Sequence, residues 1–279
     1  MSEQDPYETL RPERYYDAYG RKEWERLEAT LGGRLEFDGT VDALETWLPP
    51  SGPVLDVGGG AGRYTLWLAD RGYEVTLVDL SERQCELARE GAQDRDLQDL
   101  VTVQRGDVRD LPFDEDRFEA VLCTGGPLSH VVDDDERHGA MTELARVAAP
   151  DAPVFASVMS LLAVLQNLVT ADTYRPTLPE FLADGSYTRA FAREHLEEPE
   201  FVECQFFRAE EFRTELEAAG LTVEELRGLE AIAANVGERI DADDVSAEGY
   251  EAVRETVAAL RSDPAVVDWS NHILAVARA

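Results

Sequence analysis

The sequence predicts an α/β fold built on a doubly wound, mainly parallel sheet, and three observations carry that expectation. Short apolar runs at 54–57, 74–78, 101–103, 118–123 and 154–158 alternate with segments of helical periodicity. Most of these runs lack the in-out alternation of a half-exposed strand and read as strands buried on both faces. The intervening segments are long enough to cross the sheet, which makes right-handed crossovers and parallel neighbours the expected connection.

Taken in order, residues 12–31 read as an amphipathic helix with Tyr16, Gly20, Trp24, Leu27 and Leu31 along one stripe. The breaker at 49–53 (Pro-Pro-Ser-Gly-Pro) precedes the strand Val54-Leu55-Asp56-Val57. A glycine cluster opens the helix Tyr64–Asp70, which Arg71-Gly72 stops. The strand Glu74–Val78 ends at Asp79, and Ser81 is placed to cap the next helix. Val101–Val103 runs into Gly106-Asp107, and Phe118–Cys123 runs into Thr124-Gly125-Gly126-Pro127. A helix over 134–148 and the strand Val154–Val158 complete this series. Residues 161–200 have no clear strand and are interrupted by Pro176, Pro179, Gly185 and Pro199, as in an insertion packed over one sheet edge. The β/α rhythm returns with a strand at 203–208, a helix over 209–219 and a strand near 221–226. Residues 231–262 read as mostly helical, and His272–Val276 as a last strand. The chain thus divides into an N-terminal helical cap (1–40), a core (41–160), an inserted lid (161–200) and the remainder of the core (201–279).

Composition narrows the class. The chain has 279 residues, 44% of them hydrophobic, which is enough for a substantial core. Its net charge is −32, from 58 acidic against 26 basic residues, and Lys22 is the sole lysine. The carboxylates are spread from Glu3 to Asp268 rather than gathered in a tail, the pattern of a halophilic surface rather than of a docking patch. That sign argues against nucleic-acid phosphate as partner. Cys85, Cys123 and Cys204 form no CxxC pair, which points to a reducing, cytoplasmic setting without a disulfide frame. The N-terminus lacks a secretion-type apolar stretch, and the most apolar stretch, 157–169, is too short to span a membrane. No His/carboxylate pair has clear metal-ligand spacing, so no metal is expected.

The chemistry is concentrated in Asp56-Val57-Gly58-Gly59-Gly60-Ala61-Gly62-Arg63. A strand that ends in glycines and opens a helix bares backbone N–H groups and lets a ligand approach the main chain. Dinucleotide enzymes use G-x-G-x-x-G, but Arg63 stands where its third glycine belongs, which disfavours a nicotinamide oxidoreductase. Glycines fall instead at 58, 60 and 62, in G-x-G-x-G spacing. Asp79, at the end of the second strand, is placed to accept from ribose hydroxyls, or else to cap the following helix. Asp107, after the third strand, is placed to meet an adenine amino group, or else belongs to the acidic surface. Ligands bind outside the carboxyl ends of parallel strands, so these positions face one crevice.

The segments VLDVGGGAGRYTLWLA, VTLVDLS, GDVRDLPF, FEAVLC and ELARVAAPDAPVFASV together resemble successive motifs of the class I S-adenosylmethionine-dependent methyltransferases, over about residues 40–160. The resemblance implies a Rossmann-like, seven-stranded sheet with an antiparallel last strand, a position that HILAVAR suits. It implies S-adenosylmethionine as cofactor, with Asp56, Gly58, Gly60 and Gly62 at its methionine and ribose end. Asp79 and Leu80 would then hold the ribose, Asp107 and Val108 frame the adenine, and Cys123 and Thr124 lie near the sulfonium.

The methyl acceptor is less determined. Methyl transfer needs in-line positioning, and a base only if the acceptor loses a proton. His130, in the loop after the fourth strand, is the candidate base, with a structural loop histidine as the alternative. Of the tyrosines in the N-terminal helix, Tyr16 with Trp24 reads as packing, whereas Tyr19 is assigned to the cofactor through its aromatic face. The acceptor is expected to be a small molecule held under the 161–200 lid; a non-catalytic protein that binds S-adenosylmethionine or its demethylated product is the alternative. The charge makes one prediction. Molar salt shortens the Debye length to about 3 Å and screens the self-repulsion of this surface. The melting temperature should climb from dilute buffer to molar KCl in a calorimetric series; a flat series would remove the halophilic reading.

Overall fold

A computed structural model describes residues 5–198 and 201–279. The sheet strands are β1 (Val54–Val57), β2 (Val75–Asp79), β3 (Val101–Arg105), β4 (Ala120–Cys123), β5 (Pro153–Met159), β8 (Thr222–Gly228) and β9 (His272–Arg278). A separate short pair is formed by β6 (Ser186–Tyr187) and β7 (Cys204–Gln205). The main sheet has seven strands in the order β3-β2-β1-β4-β5-β9-β8. Strands β1 to β5 pair in parallel, and β9 lies antiparallel between β5 and β8. The expected Rossmann-like sheet with an antiparallel last strand is therefore present. The order reverses between β1 and β4, and a crevice opens there at the carboxyl ends.

Successive side chains of each strand serve opposite faces. Leu55, Val57, Val121, Cys123, Val154 and Ile273 pack with Met141 and Leu144 of α6 (Asp134–Val147) and with Phe212 and Leu216 of α10 (Ala209–Ala218). Val54, Leu122, Phe155 and Leu274 face the other way, toward Ala43 and Leu44 of α3 (Leu31–Trp47) and toward Tyr64 and Leu68 of α4 (Arg63–Ala69). Helices on both faces explain why the strands read as continuous apolar runs.

Three expectations need correction. The single helix over 12–31 is instead α1 (Pro12–Tyr19), α2 (Lys22–Ala29) and the start of α3. The chain breaks at Gly20 (φ +57°) and again at Thr30, an extended residue whose hydroxyl caps α3 by accepting from Gly33 N–H at 3.0 Å. The stripe from Tyr16 to Leu31 is thus split between helices. Helix α3 has glycines at 32, 33 and 39, poor helix formers that hide it from a propensity reading. It runs without interruption from Leu31 to Trp47. Finally, the strand expected at 203–208 pairs as β7 with β6 and not with the main sheet, so residues 161–200 do contribute a strand. Over 231–262, three 3-10 turns precede α11 (Ala247–Leu260).

The insertion carries α7 (Leu161–Leu168), α8 (Leu178–Asp184) and α9 (Arg189–His195). Its small core gathers Leu161, Tyr174, Phe181, Tyr187, Phe191 and Phe206 and takes in Leu10 from the N-terminal segment. Arg189 pairs with Glu8 at 2.9 Å, and the Glu203 N–H donates to Leu10 C=O at 2.9 Å. The cap and the insertion are consequently one structure over the crevice. Cys85, Cys123 and Cys204 are free and buried. Among the described residues no helix is long and apolar enough to cross a membrane.

Phe155 is fully buried at the centre of the α3/α4 face. Phe155→Ala should cost about 3–5 kcal/mol in denaturant unfolding through lost contacts and a residual cavity. A cost below about 1 kcal/mol would mean this face is not tightly packed.

Candidate active site

The turn after β1 is shaped by close packing. Gly58 has φ +66°, and a Cβ there would lie 2.4 Å from Pro127 Cγ of the β4 loop. A Cβ on Gly59 would lie 2.8 Å from Asp56 Oδ2 and from Leu77 Cδ1, so the third consecutive glycine is a packing requirement. Asp56 sits beneath this turn, where its Oδ2 accepts from the Thr65 hydroxyl at 2.6 Å and Oδ1 has no partner. Asp79 closes the turn from β2. Its Oδ2 accepts from Gly60 N–H and its Oδ1 from Ser81 N–H, both at 2.8 Å. Ser81 itself caps α5 (Glu82–Asp94), accepting from Gln84 N–H at 3.2 Å. Burial pushes Asp79 up to about 6, against the two backbone hydrogen bonds and with the help of the Glu23 and Asp56 charges. Asp107 is half-buried, which favours its neutral form, but hydrogen bonds from Arg109 outweigh this and hold it below the usual carboxylate range.

These residues border a cavity of about 390 Å³. Gly58, Gly60, Asp79, Leu80, Asp107, Val108, Thr124 and His130 all line it. Asp56, Gly62 and Cys123 lie behind its wall, and Tyr19 lines a second cavity of about 540 Å³. That cavity has apolar walls, among them Met159, Tyr174, Phe181, Tyr187 and Phe206. Tyr16, Glu23, Arg26 and Gly125 border both cavities and so form the wall between them.

His130 stands at this wall. Its Nδ1 lies 2.9 Å from Glu203 C=O, which can only accept, so Nδ1 carries the ring proton. The Nε2 lone pair then accepts from the Tyr16 hydroxyl at 2.9 Å. Burial drives His130 down to about 4, opposed by the Glu203 carbonyl and reinforced by the Arg26 charge. The ring is neutral at pH 7. Burial raises the Tyr16 phenol well above its ordinary value, with Glu23 adding to the effect. Tyr16, expected to be packing, is therefore half of a polar pair.

The floor of the second cavity is charged. Arg26 donates to both oxygens of the buried Glu36 (2.5 and 3.1 Å) and to Glu23 (2.8 Å). His272 Nδ1 donates to Glu230 Oε1 at 2.7 Å. Burial opposes a charged ring there, but Glu36 and Glu230 outweigh it and lift His272 to about 9. Although linear spacing offers no metal site, folding brings Glu36, Glu230 and His272 within 4.8 Å of one another. Arg26 pairs with Glu36 and the protonated ring with Glu230, so the cluster is an ion-pair network.

Residues 54–151 match the family described as methyltransferase domain. The methyltransferase GfsG of Streptomyces halstedii is 31% identical over 119 residues, 42% of this chain and 41% of that protein. This chain spans less than half the length of the curated relatives it matches. The solved S-adenosylmethionine-dependent methyltransferase of Methanosarcina mazei shares the fold, with TM-score 0.60 and 19% identity over 85% of this chain and 96% of that one. Geranyl diphosphate C-methyltransferase of Streptomyces coelicolor, solved with Mg2+, geranyl diphosphate and S-adenosylhomocysteine, superposes with TM-score 0.53 and 14% identity over 87% and 80%.

The cofactor of the methyltransferase domain is S-adenosylmethionine, and the first cavity suits it. The glycine turn leaves main chain approachable, Asp79 keeps free lone pairs for hydroxyls, and the buried Thr124 Oγ1 at the cavity wall has no partner. Sequence reasoning missed Tyr16, Glu23, Arg26, Glu36 and His272 as neighbours of the site. Tyr16, Tyr19, Glu23 and Arg26 recur at helical spacing, a polar stripe that was the available signal. Glu36 and His272 lie 236 positions apart, and nothing local joins them.

Asp79 generates a pH prediction. A protonated carboxyl has one fewer oxygen free to accept from hydroxyls, so the proton must leave before the cofactor binds fully. Affinity for S-adenosylhomocysteine should be flat above pH 6 and fall below it, by up to about tenfold per unit. Asp79→Asn should lose most of that slope and bind about 1–3 kcal/mol more weakly at pH 7. Calorimetry in molar KCl from pH 5 to 7.5 measures both; an unaltered slope in the variant would take Asp79 out of the site.

Proposed function

We propose that this chain is an S-adenosylmethionine-dependent methyltransferase that acts on a small organic molecule held in the second, apolar cavity. The observation that carries this reading is the Tyr16–His130 pair at the wall between the cavities. When bound, S-adenosylmethionine supplies an electrophilic methyl group on a sulfonium and leaves as a neutral thioether.

The chain's own residues orient the acceptor and accept its proton. As the new bond to the acceptor forms, the acceptor's proton passes to Tyr16 Oη, and the Tyr16 proton passes to His130 Nε2. Glu203 C=O stabilises the imidazolium through Nδ1–H. A low basicity would ordinarily disfavour this route. Here the ring would gain its positive charge as that of the sulfonium would be lost, so the number of charges in the site would not change. The Glu23 carboxylate, which borders both cavities, would favour positive charge in either.

Further features support the reading. Asp56, Gly62 and Cys123, assigned to the cofactor from the sequence, are proposed to act from behind the wall by shaping the turn. Tyr19 is reassigned to the acceptor cavity. The 161–200 insertion, with its continuation through β7, is the proposed lid. The geranyl diphosphate C-methyltransferase that shares the fold was solved with a small organic molecule, geranyl diphosphate, together with S-adenosylhomocysteine. The net charge of −32 with one lysine supports a haloarchaeal-type protein of a salt-rich cytoplasm that does not bind nucleic acid.

The test uses a panel of small acceptors with methyl-labelled cofactor. Label should appear in at least one acceptor. Tyr16→Phe and His130→Ala should each slow turnover about a hundredfold or more while retaining affinity for S-adenosylhomocysteine. Full turnover in both variants would retire the proton route. Tight cofactor binding with no labelled product from any acceptor would make the chain a non-catalytic binding protein.

A further inference from the structure

The floor of the second cavity contains a donor that the proton route does not use. His272 opens β9, and Glu230 Oε1 takes its Nδ1–H at 2.7 Å, with Glu36 Oε2 at 3.5 Å. Glu230 is fully buried and is fixed by the Ser270 hydroxyl at 2.7 Å and the His272 backbone N–H at 3.0 Å. The ring is thereby held in one orientation. Its Nε2 has no hydrogen-bond partner among the described residues, and the side chain borders the cavity. The charged groups around the ring are Glu36 from α3, Arg26 from α2, Glu230 from the turn after β8, and Glu238. With Glu36 and Glu230 against it, the ring carries a proton on both nitrogens at neutral pH.

We propose that His272 anchors the methyl acceptor, its Nε2–H donating to a carbonyl-type oxygen on a neutral, apolar molecule. An N–H donor left facing an apolar cavity without an acceptor is costly, and a ligand oxygen removes that cost. The walls select apolar substance. Charge excludes an anion, because Arg26 and His272 answer only two of the three carboxylates Glu23, Glu36 and Glu230, and the apolar walls would leave an added ionic group without solvation. The cavity reaches from His272 to the wall formed by Tyr16 and Gly125, and its volume of about 540 Å³ holds more than one ring. The acceptor therefore has two functional ends, an oxygen at His272 and a nucleophilic atom at Tyr16. This rests on the reading of the second cavity as the acceptor's.

Three probes that share a phenol ring test the anchor: 4-hydroxyacetophenone, 4-hydroxybenzoate and 4-ethylphenol. Each is titrated by NMR into the full chain with S-adenosylhomocysteine in molar KCl. The ketone should bind about ten- to a hundredfold more tightly than 4-ethylphenol and more tightly than the benzoate. It should also shift the His272 Nε2 resonance. His272→Phe should erase the advantage of the ketone, and His272→Gln should keep part of it, both with unchanged affinity for S-adenosylhomocysteine. Equal binding of the ketone and 4-ethylphenol overturns the proposal, as does an unmoved Nε2 resonance or failure of all three to bind at millimolar concentration. Preference for the benzoate overturns the neutral class. If His272→Phe does not fold, the ligand series and the Nε2 resonance in the unaltered chain decide the matter. Ketone binding through His272 without methyl transfer to any acceptor would leave the anchor standing and overturn the catalytic reading. Methyl transfer whose KM is indifferent to both His272 variants would do the reverse.

Discussion

The fork from Arg26 to Glu36 is the interaction on which the arrangement of the site depends. It joins α2 to α3, and α3 packs on the sheet through Ala43 and Leu44. The cap helices thereby acquire a fixed distance from the carboxyl ends of the strands. Glu36 is almost wholly buried, so removing the guanidinium would strand a charge at a cost of about 3–5 kcal/mol. The same guanidinium holds Glu23, and both residues border the two cavities. One ion pair thus places the cap, sets the field between the cavities and separates them.

Around that pair the titratable groups diverge in a way that suits their surroundings. Asp79 lies in a region already negative from Glu23 and Asp56, and burial lifts it towards neutrality. His130 lies near Arg26, and burial keeps it uncharged. His272 lies between two carboxylates and stays charged despite its burial. Two histidines that border neighbouring cavities therefore play opposite parts: one offers a lone pair and the other a proton. The difference comes from their neighbours, since a carbonyl faces one Nδ1 and a carboxylate faces the other.

The core was largely legible from the sequence because its signals are local. Parallel strands buried on both faces must be apolar along their whole length, and the glycine turn must follow the first of them. Asp79 and Asp107 were legible for the same reason, as each ends or follows its own strand. The cap was not. Three glycines masked α3, and the break at Gly20 redirected a stripe that looked continuous. Tyr16 read as packing because its partner, His130, is 114 residues away.

The sequence by itself determined the fold class, the glycine turn and the carboxylates at the strand ends, since each follows from residues adjacent in the chain. Only the tertiary structure decided which histidine meets which partner, that Tyr19 belongs to the second cavity, and that there are two cavities with a shared wall. Those features arise where α1, α2, α3, the β4 loop and β9 converge. Charge and hydrogen bonding act over a few ångströms in space, and no periodicity along the chain records which distant residues will come that close.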